Sequence, residues 1–195
     1  MHYYSLLDLN REPFSNSPDP GLFYGSAQHT EILQKLEIAI RLKRGLNLIL
    51  GEVGTGKTTL SRRLIRQLGR DSRTDCHLIL DPGFESVSEF LAHIQILLSG
   101  KEVQGNDSRQ KEAIKDHLFT ADREVNKITV LIIDEGQKMT GGALEALREL
   151  LNFETNREKL LQIVIFAQNE FKPMLDRHEN LKDRINFHYS LKNLS

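Results

Sequence analysis

Residues 46–60 constrain this chain more than any other stretch. Leu46-Asn47-Leu48-Ile49-Leu50 is a short apolar run of buried-strand type. Gly51-Glu52-Val53-Gly54-Thr55-Gly56-Lys57-Thr58 follows at once, and then Thr59-Leu60. The octet matches G-x-x-x-x-G-K-[ST], the phosphate-binding loop, in the strand–loop–helix order that the motif requires. Gly51, Gly54 and Gly56 let the backbone turn tightly with its N–H groups pointing inward. A helix starting near Lys57 adds its positive dipole end, so backbone donors from Gly51 through Thr59 can hold a polyphosphate such as that of ATP. Lys57 is placed to reach the β- and γ-phosphates as a point charge, and the Thr58 hydroxyl to ligate Mg2+, which prefers oxygen donors. The competing reading, a glycine-rich turn with a chance Lys-Thr, is disfavoured by the complete pattern after an apolar strand.

A second stretch belongs with the first. Ile128-Thr129-Val130-Leu131-Ile132-Ile133 is an unbroken, largely β-branched run that ends in Asp134-Glu135. Such a run predicts a parallel strand buried on both faces. In open parallel sheets the ligand crevice lies at the carboxyl ends of the strands. An acid pair there, downstream of a phosphate loop, is the second motif of nucleotide hydrolases. Asp134 is read as the Mg2+ partner, acting through water, and Glu135 as the group that orients or deprotonates the attacking water. A third apolar stretch, 160–167, ends in Gln168-Asn169. Gln168 is assigned contact with the γ-phosphate or the lytic water, and Asn169 the cap of a following helix that has Pro173 in its first turn.

The chain of 195 residues suits one α/β domain with a short extension. Its net charge of −1 gives no global sign of nucleic acid or an anionic membrane as partner. No apolar run approaches the roughly 18–20 residues needed to span a bilayer. Tyr3, Tyr4, Asp8, Arg11 and Glu12 stand where a signal peptide needs an apolar core, so a cytoplasmic location is expected. The single Cys76 excludes an internal disulfide and reads as a small, half-buried residue at a strand start. The histidines show no i,i+3 or i,i+4 pairing that would mark a zinc site.

Residues 1–26 are expected to be an irregular segment after a short helix over Tyr3 to Leu9. Pro13, Pro18 and Pro20 are interspersed with Phe14, Leu22, Phe23 and Tyr24. Two compatible readings stand for it: a strap held on by its aromatics, and a flap against a purine base. Helices are predicted over 27–44 (ended by Gly45), 57–68, from Ser86, over 108–125 and over 141–153, and short strands over 76–80 and 186–190. Ser86 with Glu89 forms a capping-box pattern. Arg62, Arg63, Arg66 and Arg70 form a basic stripe on one helix; a solvated face is preferred over a nucleic-acid surface.

Several stretches together resemble one family. These are Tyr3-Tyr4-Ser5-Leu6-Leu7, Pro13 to Pro20, Phe23-Tyr24 with His29, Gly51-Glu52-Val53-Gly54, Asp134-Glu135-Gly136-Gln137, Leu150 to Thr155, Ala167-Gln168-Asn169-Glu170 and Asp183-Arg184-Ile185. The chain is similar, essentially end to end, to the ExeA/GspA ATPases of the bacterial general (type II) secretion pathway, a branch of the AAA+ proteins. The proline-rich N-terminal signature is the specific part. The resemblance implies a three-layer α/β/α sandwich with a five-stranded parallel sheet in the order 5-1-4-3-2. Residues 1–26 would be a segment packed on an ATPase core over 27–195. It implies ATP and Mg2+ as ligands, homo-oligomeric rings, an inner-membrane partner and peptidoglycan. Arg184 matches the arginine that reaches a neighbouring subunit's γ-phosphate; the alternative is a surface ion pair with Asp183. Family members continue into a helical lid, often with an inner-membrane anchor, so a domain fragment without its lid is expected. The family usually has proline at the position of Asn169 and alanine at that of Gly136, and neither departure is expected to touch the chemistry.

Other functions are weighed against this. A small-molecule kinase must exclude water, which Glu135 argues against. A GTPase needs Asn-Lys-x-Asp, and Asn126-Lys127 is followed by Ile128-Thr129. A nucleotide-dependent DNA-binding regulator of transposition, of the TnsC kind, is the alternative that remains, and DNA is a partner only under that reading.

Overall fold

The computed structural model describes residues 25–156 and 158–193. The proposed strap or flap over 1–24 therefore lies outside the described residues. In chain order the elements are α1 (Ala27–Arg41), β1 (Leu46–Gly51), α2 (Lys57–Leu68), β2 (Thr74–Ile79), α3 (Val87–Ser99), α4 (Asp107–Val125), β3 (Ile128–Ile133), α5 (Gly141–Leu150), β4 (Leu161–Ala167), α6 (Phe171–Asp176), α7 (Glu179–Lys182) and β5 (Ile185–Leu191).

The five strands form one sheet in the order β2-β3-β4-β1-β5, every pairing parallel. Read from the other edge this is the expected 5-1-4-3-2. The unbroken apolar character of β1, β3 and β4 follows from their being covered on both faces. Alternation along each strand sends side chains to opposite layers. Leu46, Leu48, Leu50, Leu131, Ile133, Ile163 and Ile165 pack against α3 to α7. Ile49, Val130, Ile132, Val164 and Phe166 pack against α1 and α2. The edge strand β2 is only half buried for most of its length.

Local chemistry explains most of the boundaries. Ser86, Asn106 and Thr140 cap α3, α4 and α5 by accepting the backbone N–H three residues on. The Ser86 cap forms as expected, but the Glu89 carboxylate accepts from the Glu85 N–H at 3.2 Å, not from Ser86 itself. α1 ends at Arg41, three residues before the predicted stop. Lys43 takes a left-handed conformation (φ 50°) and its ammonium pairs with Asp122 at 2.7 Å and Glu158 at 2.8 Å. Those long-range ion pairs anchor the chain just past the helix end, and Gly45 (φ 85°) serves the turn into β1. β2 begins two residues earlier than predicted, which puts Cys76 inside the strand. α5 stops at Leu150, short of the predicted Phe153, and β5 extends one residue beyond the predicted range at each end.

Two predictions arise from this packing. Leu144 is fully buried between α5 and the sheet, so Leu144→Ala is expected to cost about 2–5 kcal/mol, read as a lowered urea midpoint at unchanged slope. Burial, and then the nearby Asp75 charge, push the Cys76 thiol up to about 12. Alkylation of Cys76 by iodoacetamide at neutral pH is expected to be at least ~100-fold slower in the folded protein than in urea, because the thiolate is the reacting form.

Candidate functional site

The loop Gly51 to Gly56 leaves the end of β1 and runs directly into α2. Gly54 and Gly56 have φ of 81° and 87°, values that a side chain would strain. Gly51 is required for space instead: a Cβ there would lie 2.7 Å from the Thr55 hydroxyl and 3.0 Å from the Leu191 carbonyl. The Thr55 hydroxyl donates to the Glu52 carbonyl at 2.8 Å, which closes the loop on itself. The Lys57 ammonium is buried and donates to the Gly51 and Glu52 carbonyls, both at 2.8 Å. Burial pulls it below the ordinary lysine value, opposed by the charges of Glu135, Asp134, Glu52 and Glu170.

The acid pair arrives from β3, two strands away in the sheet. Asp134 is 1% exposed. Its backbone N–H donates to the Ile79 carbonyl at 2.8 Å, and its carboxylate accepts from the Thr58 hydroxyl and, at 3.0 Å, from the Glu135 N–H. Burial raises the Asp134 carboxyl above its usual range, and the two hydrogen bonds work against that rise. Glu135 follows in the left-handed region (φ 54°), which turns its side chain away from the strand direction.

Val53, Gly54, Gly56, Lys57, Thr58, Thr59, Glu135 and Gln168 line one cavity of about 340 Å³. The phosphate loop, the second acid and the tip of β4 therefore face the same space. Gly51, Glu52 and Thr55 build the loop from beneath, and Asp134 sits behind Thr58. A hydroxyl and a carboxylate already in contact are two hard oxygen donors, which fits a hard cation. Among the described residues no group of three or more His, Cys, Asp or Glu gathers to hold a metal. Thr58 and Asp134 would accordingly share it with substrate phosphates and water, the usual manner of Mg2+.

Three further residues, each quoted for the resemblance, make contacts that the sequence did not predict. His29 is 3% exposed beneath the loop and donates from Nε2 to the Thr55 carbonyl at 3.1 Å. A carbonyl can only accept, so Nε2 carries a proton, and Nδ1 is hydrogen-bonded to the Ser26 hydroxyl at 2.6 Å. Gln137 contacts both Glu135 and the backbone of Gln168. Asn169 donates to the Glu52 carboxylate rather than capping a helix; α6 begins after Glu170 with no side-chain cap. The cap reading fails because a partner from the phosphate loop, distant in sequence, claims the amide. Gly136 is also closer to the site than expected. A Cβ there would lie 2.5 Å from Ile165 Cγ2, so the glycine seats the Glu135 turn against β4.

Arg184 is not in this cavity. It stands before β5, at the end of the sheet where Ile185 pairs with Leu46, whereas the loop leaves β1 at the end where Gly51 pairs with Leu191. Its guanidinium donates to the Asn152 side-chain carbonyl, and no ion pair with Asp183 forms among the described residues. Of the basic stripe, Arg66 and Arg70 are exposed and share a groove with Arg63, Gln67 and Gly69, away from the cavity.

The AAA domain family matches residues 40–175. General secretion pathway protein A of Aeromonas hydrophila is 36% identical over 195 residues, which is 99% of this chain and 35% of that protein. The chain thus spans about a third of the length of the curated relative it matches. Among solved structures, the Aeropyrum pernix ORC2 protein in its ADPNP–ADP complexes aligns with a TM-score of 0.69 at 17% identity, over 92% of this chain and 50% of that one. The Aeropyrum pernix ORC1 protein in complex with DNA aligns with a TM-score of 0.65 at 18% identity, over 88% and 46%. At those identities the two structures speak for the fold alone.

Proposed function

This chain belongs to the AAA domain family of ATPases, of the general secretion pathway protein A type, and from that premise we propose that it hydrolyses ATP in a Mg2+-dependent reaction that drives assembly of a bacterial secretion complex. The observation that carries the hydrolytic part is the single cavity lined by Lys57, Thr58, Glu135 and Gln168. Three stretches far apart in sequence meet there, which supports phosphoryl transfer to water.

In the proposed reaction the loop N–H groups and Lys57 hold the β- and γ-phosphates, and Thr58 with Asp134 would hold Mg2+. The cation, when bound, neutralises charge developing on the phosphate oxygens. Glu135 takes a proton from water as the water oxygen bonds to the γ-phosphorus. The bond to the β–γ bridging oxygen breaks, and ADP leaves with that electron pair. Gln168 at the end of β4 orients the water or the γ-phosphate. Arg184 serves the cavity of a neighbouring copy. The secretion role comes to the proposal from the relative's name; a ring of like subunits, a cytoplasmic location beside the inner membrane, and the inner-membrane and peptidoglycan partners come to it from the family resemblance. Among the described residues no helix is long and apolar enough to cross a membrane.

Glu135→Gln tests the reading. It removes the proton acceptor and keeps the size of the side chain. ATP·Mg2+ affinity by calorimetry is expected to stay within a few-fold of wild type, while turnover falls by about 10²–10⁴-fold. Turnover at the wild-type rate would remove Glu135 from the reaction.

A further inference from the structure

The turn after β3 holds a side chain that the reaction outlined above does not use. Gln137 lies in the 3-10 turn Gly136–Lys138 and is half buried. Its amide nitrogen donates to Glu135 Oε2 at 2.5 Å. Its amide oxygen accepts from the backbone N–H of Gln168 at 2.9 Å. These two partners determine which way round the amide stands. A carboxylate accepts only and a backbone N–H donates only, so the flipped amide would set oxygen against oxygen and N–H against N–H. No other neutral side chain of this length offers a donor and an acceptor on one rigid plane.

The same strand end carries a second tie. Asn169, next to Gln168, donates to the Glu52 carboxylate of the phosphate loop. The tip of β4 is therefore bonded to both halves of the cavity, to the loop through Asn169 and to the acid through Gln137. Glu135 itself stands on a left-handed backbone, and the terminal torsion of a glutamate is broad, so a hydrogen-bond partner narrows the directions its carboxylate takes.

We propose that Gln137 is a positioning residue: it aims the Glu135 carboxylate and takes its own orientation from the Gln168 N–H, so that the position of the β4 tip sets the aim of the base. This rests on the hydrolase reading only for its catalytic consequence. A nucleotide that moves Gln168 through its γ-phosphate would thereby move the base, making hydrolysis responsive to correct seating of the phosphate. A misplacement of a reacting group by about 1 Å costs on the order of 10²-fold in rate.

The test uses Gln137→Met, which keeps length and loses both bonds, and Gln137→Glu, which keeps the acceptor for Gln168 and sets a carboxylate against Glu135. Both are expected to lower kcat by about 10–100-fold with KM for ATP within about two-fold and an unchanged melting temperature. Unchanged kcat in both, or a rise in KM alone, overturns the proposal. A crystal structure of each form reads the same point without turnover. The Glu135 carboxylate is expected in one rotamer in wild type and displaced in both variants; the same rotamer in all three overturns the proposal. A wild-type protein without ATP turnover, but with Glu135 displaced in the variants, would defeat the hydrolase reading and leave the positioning by Gln137 standing.

Discussion

Lys57→Ala is expected to abolish tight binding of ATP·Mg2+, with affinity falling by at least ~100-fold in calorimetry. The size of the effect comes from what surrounds the ammonium. Glu135, Asp134, Glu52 and Glu170 all act on Lys57 electrostatically, and Lys57 is the cation among the residues that line the cavity. Without it, a polyphosphate would enter a pocket whose remaining charged groups are carboxylates, in surroundings that screen charge poorly. The loop N–H groups remain, but they are partial charges. The Gly51 and Glu52 carbonyls, which now accept from Lys57, would also lose their donor. Lys57→Arg is not expected to rescue, since a guanidinium is a planar fork where the loop encloses a compact ammonium. An unchanged affinity in Lys57→Ala would sink the assignment of this loop as the phosphate site.

Arg184→Ala is expected to leave ATP affinity nearly intact and to remove the dependence of specific activity on protein concentration. The strand register provides the argument. Arg184 precedes the Leu46–Ile185 end of the β1–β5 pair, and the phosphate loop emerges beyond the Gly51–Leu191 end. Five strand steps of about 3.3 Å separate the two ends by about 17 Å, farther than an arginine reaches. Arg184 therefore cannot serve its own cavity, and the proposed role is at a neighbour's. An arginine supplied in this way contributes about 10³–10⁵ in rate where it acts on phosphoryl transfer. Wild-type protein should gain specific activity as its concentration rises, and Arg184→Ala should stay flat and low. High wild-type activity at every dilution would return Arg184 to a surface role beside Asn152.

Much of the site is legible along the chain because its parts are local. The loop between Gly51 and Thr58 is a contiguous motif, and its conformation depends on glycines a few residues apart. Asp134 and Glu135 are found because a buried parallel strand must end in the ligand crevice, and the run Ile128–Ile133 shows where it ends. The parallel order of the sheet came from resemblance to a family, since no strand's own residues name its neighbour.

Periodicity, turn chemistry and strand ends are short-range properties, and with them this sequence by itself determined the α/β class, the main elements and the residues of both motifs. The contacts that connect those motifs were decided only by the tertiary structure. Asn169 reads locally as a helix cap, yet its amide goes to Glu52 on another strand's loop. His29 is noted with Phe23-Tyr24 only as part of a resemblance, which gives no partner, yet it holds the Thr55 carbonyl. Gln137 stands in one of the stretches that carry the resemblance, yet nothing in the sequence pairs it with Gln168 until β3 and β4 lie side by side. The physical reason is the same in each case. A polar side chain with several donors and acceptors is satisfied by whichever partners the packed backbones bring within about 3 Å, and that proximity is created by the sheet, across stretches of chain that share no local pattern.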